Sequence, residues 1–129
     1  MTEAERTTKF LKYAKANIQS SFVFEAKICK TKSISFTVVK PHQERTLLIS
    51  RESSFNYKIP DVGYDQKPLD GFQFHKVEAY VVIFWWQKRG DMRFSMIDIK
   101  VWLEEKEKSD RKSLTYERAC EIAMLSDCL

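Results

Sequence analysis

A carboxylate and an amine stand two residues apart in this chain, at Glu25 and Lys27, within the largely apolar segment of residues 22–27. If the segment is a β-strand, its period of two places both side chains on one face, opposite a face of apolar residues. A carboxylate can hold a hard divalent cation, and a neighbouring ammonium can orient a water or balance the charge of a phosphate. The pair therefore suits metal-dependent hydrolysis of phosphodiester bonds. Because Glu-x-Lys is a common tripeptide, a solvated strand face is the alternative.

The elements that position this pair are predicted from hydrophobic periodicity. Apolar residues at helical spacing indicate amphipathic helices, and alternation of polar and apolar residues indicates half-buried strands. Residues 79–86 are apolar almost throughout, which is typical of a central strand that is covered on both faces. The predicted helices cover residues 4–18, 42–50, 100–108 and 116–126, and the predicted strands or extended segments cover 22–29, 33–38, 56–59, 69–74, 79–86 and 93–99, with a turn at 87–91.

This order of elements predicts one domain of the α/β or α+β class, with a mixed central sheet flanked by helices. A chain of 129 residues is long enough to form one hydrophobic core, and its hydrophobic fraction of 43% indicates a folded globule. Only three glycines occur, which leaves no room for a Gly-rich phosphate loop or a dinucleotide fingerprint. No small-molecule cofactor is therefore predicted.

The charge of the chain is mildly basic, with 22 Lys and Arg against 18 Asp and Glu and a formal net charge of +4. Such a balance permits nucleic-acid binding without requiring it. Residues 6–58 carry eleven basic residues against three acidic ones, and acidic residues cluster at 104–110. The basic half is therefore the half that contains Glu25 and Lys27.

The cysteine and histidine content indicates the compartment. Three cysteines and two histidines have no paired spacing of the kind that zinc sites use, and they favour a reduced intracellular setting. The chain begins without an apolar signal core, and its longest apolar run is far too short to span a bilayer. We expect a cytoplasmic protein, or one of the host cytoplasm if its source is viral, with no membrane partner.

Four segments together resemble the core of the PD-(D/E)XK nuclease superfamily, and within it the Holliday-junction resolvases of the archaeal type and of Gram-positive bacteria and their phages. In that family a Glu-x-Lys strand is followed by a turn, an extended segment and a helix that bears a glutamine. An apolar strand and its hairpin partner come later. The matching segments here are FEAK at 24–27, KTKS at 30–33, the extended residues 34–38 and KPHQ at 40–43, then 80–86 and 94–99, so that the resemblance covers roughly residues 4–103.

The resemblance implies a restriction-endonuclease-like core and a Mg²⁺-dependent endonuclease, in which Mn²⁺ can substitute for Mg²⁺. Its metal ligands are the Glu25 carboxylate, the backbone carbonyl of Ala26 and an aspartate. Lys27 positions the attacking water or stabilises the developing charge, and Gln43 orients the nucleophile or the lysine. Glu5 resembles the accessory acid of the superfamily, and Glu3 competes with it for that role. Glu5 also stands three residues after Thr2 and fits a helix capping box.

The aspartate is where the chain departs from the family pattern. The family carries it on the strand before Glu-x-Lys, whereas no aspartate precedes Asp61 in this chain. The nearest likeness is Asp70, in the segment KPLDGF at 67–72. Asp70 would complete the metal site if its strand packed beside residues 22–29, and it would otherwise serve a turn. Asp61 is a second candidate.

The expected partner is DNA, most simply branched or junction DNA. Three lysines, Lys30, Lys32 and Lys40, are expected to contact backbone phosphates and give affinity without sequence preference, unless they merely solvate a basic turn. Two symmetric cuts across a four-way junction imply a homodimer with twofold symmetry. The alternative function is a catalytically inactive nuclease-fold module that binds nucleic acid or a protein partner.

Overall fold

A computed structural model describes residues 2–61, 63, 66–86 and 92–129, and within them helices and strands are interspersed as the periodicity indicates. The four helices and eight strands form a single α+β domain, which confirms the predicted class. The predicted turn at 87–91 lies outside the described residues. The elements in chain order are α1 (Glu3–Asn17), β1 (Phe22–Cys29), β2 (Ser33–Ser35), α2 (Pro41–Glu52), β3 (Ser54–Lys58), β4 (Gly71–His75), β5 (Glu78–Trp85), β6 (Arg93–Asp98), α3 (Ile99–Lys108), β7 (Ser113–Thr115), α4 (Tyr116–Ile122) and β8 (Leu125–Cys128).

The central sheet has four strands in the order β1–β5–β6–β8. β1 and β5 are parallel, with Phe22 opposite Glu78 and Cys29 opposite Trp85, and the other two pairs are antiparallel. β5 therefore lies inside the sheet, as predicted, and β1 is an edge strand of the described part. Two separate antiparallel ribbons, β2–β7 and β3–β4, complete the strands.

Helices cover both faces of this sheet, which explains why β5 is apolar along its length. Val81 and Ile83 pack toward α2, α3 and α4 on one face. Val82 and Phe84 pack on the other face against Phe10 of α1. Alternate residues of β5 thus belong to two different cores. The result is a three-layer domain in which α1 and the helices α2, α3 and α4 lie on opposite sides of the sheet.

Two predicted elements end three or four residues earlier in the structure than predicted. The last helix was predicted to reach Ser126, but α4 ends at Ile122 because the chain turns to pair with β6, and the backbone N–H of Met124 donates to the Met96 carbonyl at 2.8 Å. The predicted strand at 33–38 ends at Ser35. There the Ser35 hydroxyl accepts from the backbone N–H of residue 37 and a short 3-10 helix follows.

A hydrogen bond between side chains fixes the end of the sheet to α1. The Tyr13 hydroxyl donates to Asp127 Oδ2 of β8 at 2.7 Å. This bond, together with the backbone N–H of Cys128, lowers the pKa of Asp127 below its ordinary value. The same contact raises the pKa of Tyr13. The ionised form of Asp127 therefore stabilises the folded chain.

We expect Tyr13→Phe to lower the free energy of unfolding more at pH about 7 than at pH about 2. Ionised Asp127 contributes its full stabilisation at pH values above the ordinary carboxyl pKa of 3.8. This stabilisation is lost as the pH falls through the lowered pKa that Asp127 has in the folded chain. Urea unfolding at both pH values measures the difference. Tyr57→Phe is the matched control, because the Tyr57 hydroxyl makes no hydrogen bond with the described residues. An equal loss of stability at both pH values would contradict this assignment.

Candidate functional site

Glu25 and Lys27 lie side by side on the face of β1 that is turned toward α2. Lys27 Nζ is 3.3 Å from Glu25 Oε1, and the two side chains are 19% and 30% exposed, respectively. The i, i+2 spacing on a strand places them there, which confirms the predicted juxtaposition. Both groups are accessible to a ligand and are also partly shielded from bulk water.

Gln43, in the first turn of α2, joins this pair. Its Nε2 donates to Glu25 Oε1 at 2.9 Å, and its Oε1 accepts from the backbone N–H of Lys40 at 2.9 Å. Pro41 begins the helix at a position where its missing N–H is not needed. The Gln43 amide is therefore held at both ends, and it fixes the orientation of the carboxylate.

Two oxygen atoms of this site are available to a cation. Among the described residues, Glu25 Oε2 takes part in no hydrogen bond, and the contacts of Lys27 and Gln43 are both with Oε1. The Cys29 carbonyl accepts from the Trp86 N–H of the neighbouring chain segment at 2.7 Å. Carbonyl groups along a strand point alternately to its two sides. Ala26 is three residues before Cys29, whose carbonyl points toward the β5 side, so the Ala26 carbonyl points to the other side, which is the open edge of β1. Carboxylate and carbonyl oxygens are the ligands that Mg²⁺ prefers.

A cavity of about 700 Å³ opens beside Glu25, between β1, α2 and the β3–β4 ribbon. Its polar lining includes Glu25, Gln43 and His42. Most of the remaining lining is aromatic and comes from β1 and from both strands of the ribbon. The carboxylate therefore lies at the boundary between a polar group of side chains and an aromatic wall.

Asp70 lies just before β4, at the end of the ribbon. Its carbonyl accepts from the Ile59 N–H at 2.8 Å, and its carboxylate is 3.0 Å from Lys67 Nζ and 92% exposed. β4 pairs with β3 and, among the described strands, not with β1. The Asp70 strand was expected to pair with β1 and thereby to reach Glu25. It pairs with β3 in a hairpin instead.

The other candidate for the missing aspartate is also held by lysines. The Asp61 carboxylate is 2.7 Å from Lys58 Nζ and forms a second ion pair with Lys67. These contacts lower the pKa of Asp61. Within the described ranges, no hydrogen bond or ion pair joins Asp61 or Asp70 to Glu25, and no three carboxylate, histidine or cysteine side chains converge on one point.

Glu5 and the three lysines occupy separate positions. Glu5 Oε2 accepts from the Thr2 N–H at 3.0 Å, and Thr2 Oγ1 accepts from the Glu5 N–H at 3.1 Å, which makes Glu5 part of a capping box. Lys30 and Lys32 are exposed in the turn after β1, beside a second cavity of about 340 Å³. Lys40 is exposed at the start of α2. None of the three lysines forms an ion pair with the described residues, so all remain available to phosphates.

None of the predicted site residues belongs to the aromatic wall of the large cavity. Its signal was nevertheless present, because aromatic and polar residues alternate at 55–57 and again at 72–74. Such alternation indicates two strands that each present aromatic rings on one face. Four of the rings that line the cavity come from these two segments.

The site therefore consists of Glu25, Lys27 and Gln43, with Asp70 and Glu5 engaged in other contacts. None of the helices within the described residues has both the length and the apolar character that spanning a bilayer requires. No protein-family model, curated protein or solved structure matches this chain.

Proposed function

We propose that this protein is a Mg²⁺-dependent endonuclease that hydrolyses phosphodiester bonds in branched DNA, with a restriction-endonuclease-like core. The observation that carries the proposal is the Glu25–Lys27 pair, which Gln43 holds at the rim of an open cavity. A parallel β1–β5 pair, with α2 in the connection between its strands, supports the resemblance to the nuclease core. The unpaired lysines of the basic half support a DNA partner.

A magnesium ion beside Glu25 would take only part of its ligands from the protein and the rest from water and substrate. Glu25 Oε2 and the Ala26 carbonyl would hold the ion. The Asp70 carboxylate pairs with Lys67 at the end of the ribbon, so it would become the third ligand only after that ion pair breaks. Few protein ligands suffice, because Mg²⁺ keeps several waters and also takes oxygens from substrate phosphates. When bound, Mg²⁺ or its substitute Mn²⁺ supplies charge neutralisation at the phosphate and lowers the pKa of a coordinated water.

The side chains of the site have distinct roles in this proposal. The Lys27 ammonium orients the attacking water or balances the charge that develops on the phosphate. Gln43 keeps the Glu25 carboxylate in one orientation. Lys30, Lys32 and Lys40 bind backbone phosphates, which makes affinity steeply dependent on salt. A homodimer would present two such sites for paired cuts across a junction.

Cleavage of a labelled synthetic four-way junction tests the proposal. We expect paired cuts in Mg²⁺, no cuts in EDTA, and no cuts by Glu25→Gln, which keeps the shape of the side chain but removes its charge. A linear duplex with the same arm sequence controls for substrate structure. Asp70→Asn tests the third ligand separately. Cleavage that persists in EDTA or in Glu25→Gln would refute a metal-dependent mechanism at this site.

A second candidate function is favoured by one observation, namely that no three potential ligand side chains converge among the described residues. On that basis the chain would be a catalytically inactive nuclease-fold module that binds nucleic acid or a protein partner. Binding of the junction that weakens with added salt, without cleavage in Mg²⁺ or Mn²⁺, would support this candidate over the endonuclease.

A further inference from the structure

The β3–β4 ribbon carries four aromatic side chains on one face. Its register places Tyr57 opposite Phe72 and Phe55 opposite Phe74, and the period of two turns all four to the same side. The residues between them along each strand are polar. This aromatic face lines the cavity beside Glu25. A two-stranded ribbon with one aromatic and one polar face thus forms a wall of the candidate site.

Two rings of this face, those of Tyr57 and Phe72, are exposed and stacked on each other. Tyr57 and Phe72 are 50% and 38% exposed. Their ring centroids lie 5.7 Å apart with an interplanar angle of 23°, and Phe72 and Phe74 lie 4.9 Å apart at 37°. The other ring pairs among the described residues meet at 44° or more. The exposed part of the Tyr57 and Phe72 rings is apolar surface that a flat aromatic ligand can cover.

The groove formed by the two cavities under these rings carries no unpaired negative charge among the described residues. A neighbouring cavity of about 390 Å³ shares Phe22, Phe24 and Phe74 with the large one and is also lined by Lys15. Among the described residues that line the two cavities, the one carboxylate is that of Glu25, and it is paired with Lys27. The groove therefore contains no unpaired carboxylate and has a cation near α1.

We infer that the aromatic face of the β3–β4 ribbon stacks one or two unpaired nucleobases of the strand whose phosphate lies at Glu25 and Lys27. The position of that phosphate rests on the proposed function. Every base offers a flat π-face, but bases within a duplex are already stacked on their neighbours. The substrate class is therefore DNA that is single-stranded beside the scissile bond, such as a flap or an open branch point. An aliphatic peptide side chain would bury apolar surface on these rings but would gain no π-stacking.

Binding in EDTA tests this inference without cleavage. Fluorescence anisotropy compares a labelled oligothymidylate with a duplex of the same length. We expect wild type to bind the single strand more tightly than the duplex, and Tyr57→Leu and Phe72→Leu each to weaken single-strand binding by about tenfold. Tyr57→Phe keeps a flat ring and should bind as wild type does. Ile49→Ala, which shortens an exposed side chain of α2 outside the groove, is the control.

Three results would overturn the inference. The first is unchanged single-strand binding by the two leucine variants, and the second is equal affinity of wild type for single strand and duplex. The third is a dimer in sedimentation analysis that Tyr57→Leu dissociates, because a second copy of this chain would then cover the face.

Photo-crosslinking of an iodouracil-containing strand to wild type needs no variant. Crosslinks at Tyr57, Phe72 or Phe74 support the inference, and crosslinks confined to other residues refute it.

The two proposals fail in distinguishable ways. If wild type binds single strands through Tyr57 but cuts no substrate, the endonuclease proposal falls and the stacking surface stands. If cleavage requires Glu25 while Tyr57→Leu binds and cuts as wild type does, the stacking surface falls and the endonuclease proposal stands.

Discussion

Lys27→Met will cut a labelled four-way junction about 100-fold more slowly than wild type in saturating Mg²⁺ and junction. The Lys27 ammonium lies 3.3 Å from Glu25 Oε1, so its charge acts where the scissile phosphate is expected to bind. Methionine has a similar length and no charge. The loss should appear in the single-turnover rate at saturation, because the charge that develops in the transition state loses its partner. Binding of the junction in EDTA should change far less.

Lys108→Met is the matched control for this experiment. Lys108 is an exposed lysine of α3 that pairs with Glu104 at 2.8 Å, and neither residue lines the cavities beside Glu25. The control should cut at the rate of wild type. A Lys27→Met protein that cuts at the rate of wild type when saturated with junction would remove Lys27 from the mechanism, even if Glu25 were still required.

Phe10→Ala will lower the free energy of unfolding by about 3–5 kcal/mol. Phe10 is fully buried between α1 and the sheet, and its ring centroid lies 5.1 Å from those of Phe24 and Phe94 and 6.0 Å from that of Phe84. Its removal costs the transfer free energy of the ring and leaves a cavity that the sheet cannot close. Urea unfolding measures the loss.

Leu11→Ala is the control, because Leu11 is the next residue of α1 and its side chain is exposed. Its expected loss is within about 0.5 kcal/mol. The Phe10→Ala loss is a large part of the stability of a typical small domain, so Phe10→Leu provides a graded variant should the alanine protein not fold. Equal losses in Phe10→Ala and Leu11→Ala would show that α1 does not depend on this ring.

The parts of the site that depend on local backbone geometry could be predicted from the sequence. Alternation along residues 22–28 fixes which side chains share a face of β1, so Glu25 and Lys27 were placed together correctly. The apolar run of β5 likewise indicated a strand with both faces covered. Both features follow from the pleat of a strand and need no knowledge of distant residues.

The parts that depend on pairing between distant segments could not be predicted. Asp70 was expected to reach Glu25 on a strand beside β1, but β4 pairs with β3, which is close in sequence. The residues of β8 continue a helical pattern, yet their backbone pairs with the open edge of β6. In each case tertiary pairing decides between conformations that local sequence permits equally.

The parallel register of β1 and β5 also determines when the Glu25 strand is completed during folding. Phe22 is opposite Glu78, and α2 and the β3–β4 ribbon both lie between them in the sequence. Closing so long a segment costs chain entropy before any contact between the two strands repays it. Local elements such as the ribbon can form first, whereas β1 gains its neighbour late. We therefore expect the strand that bears the candidate catalytic pair to be among the last to be held in place.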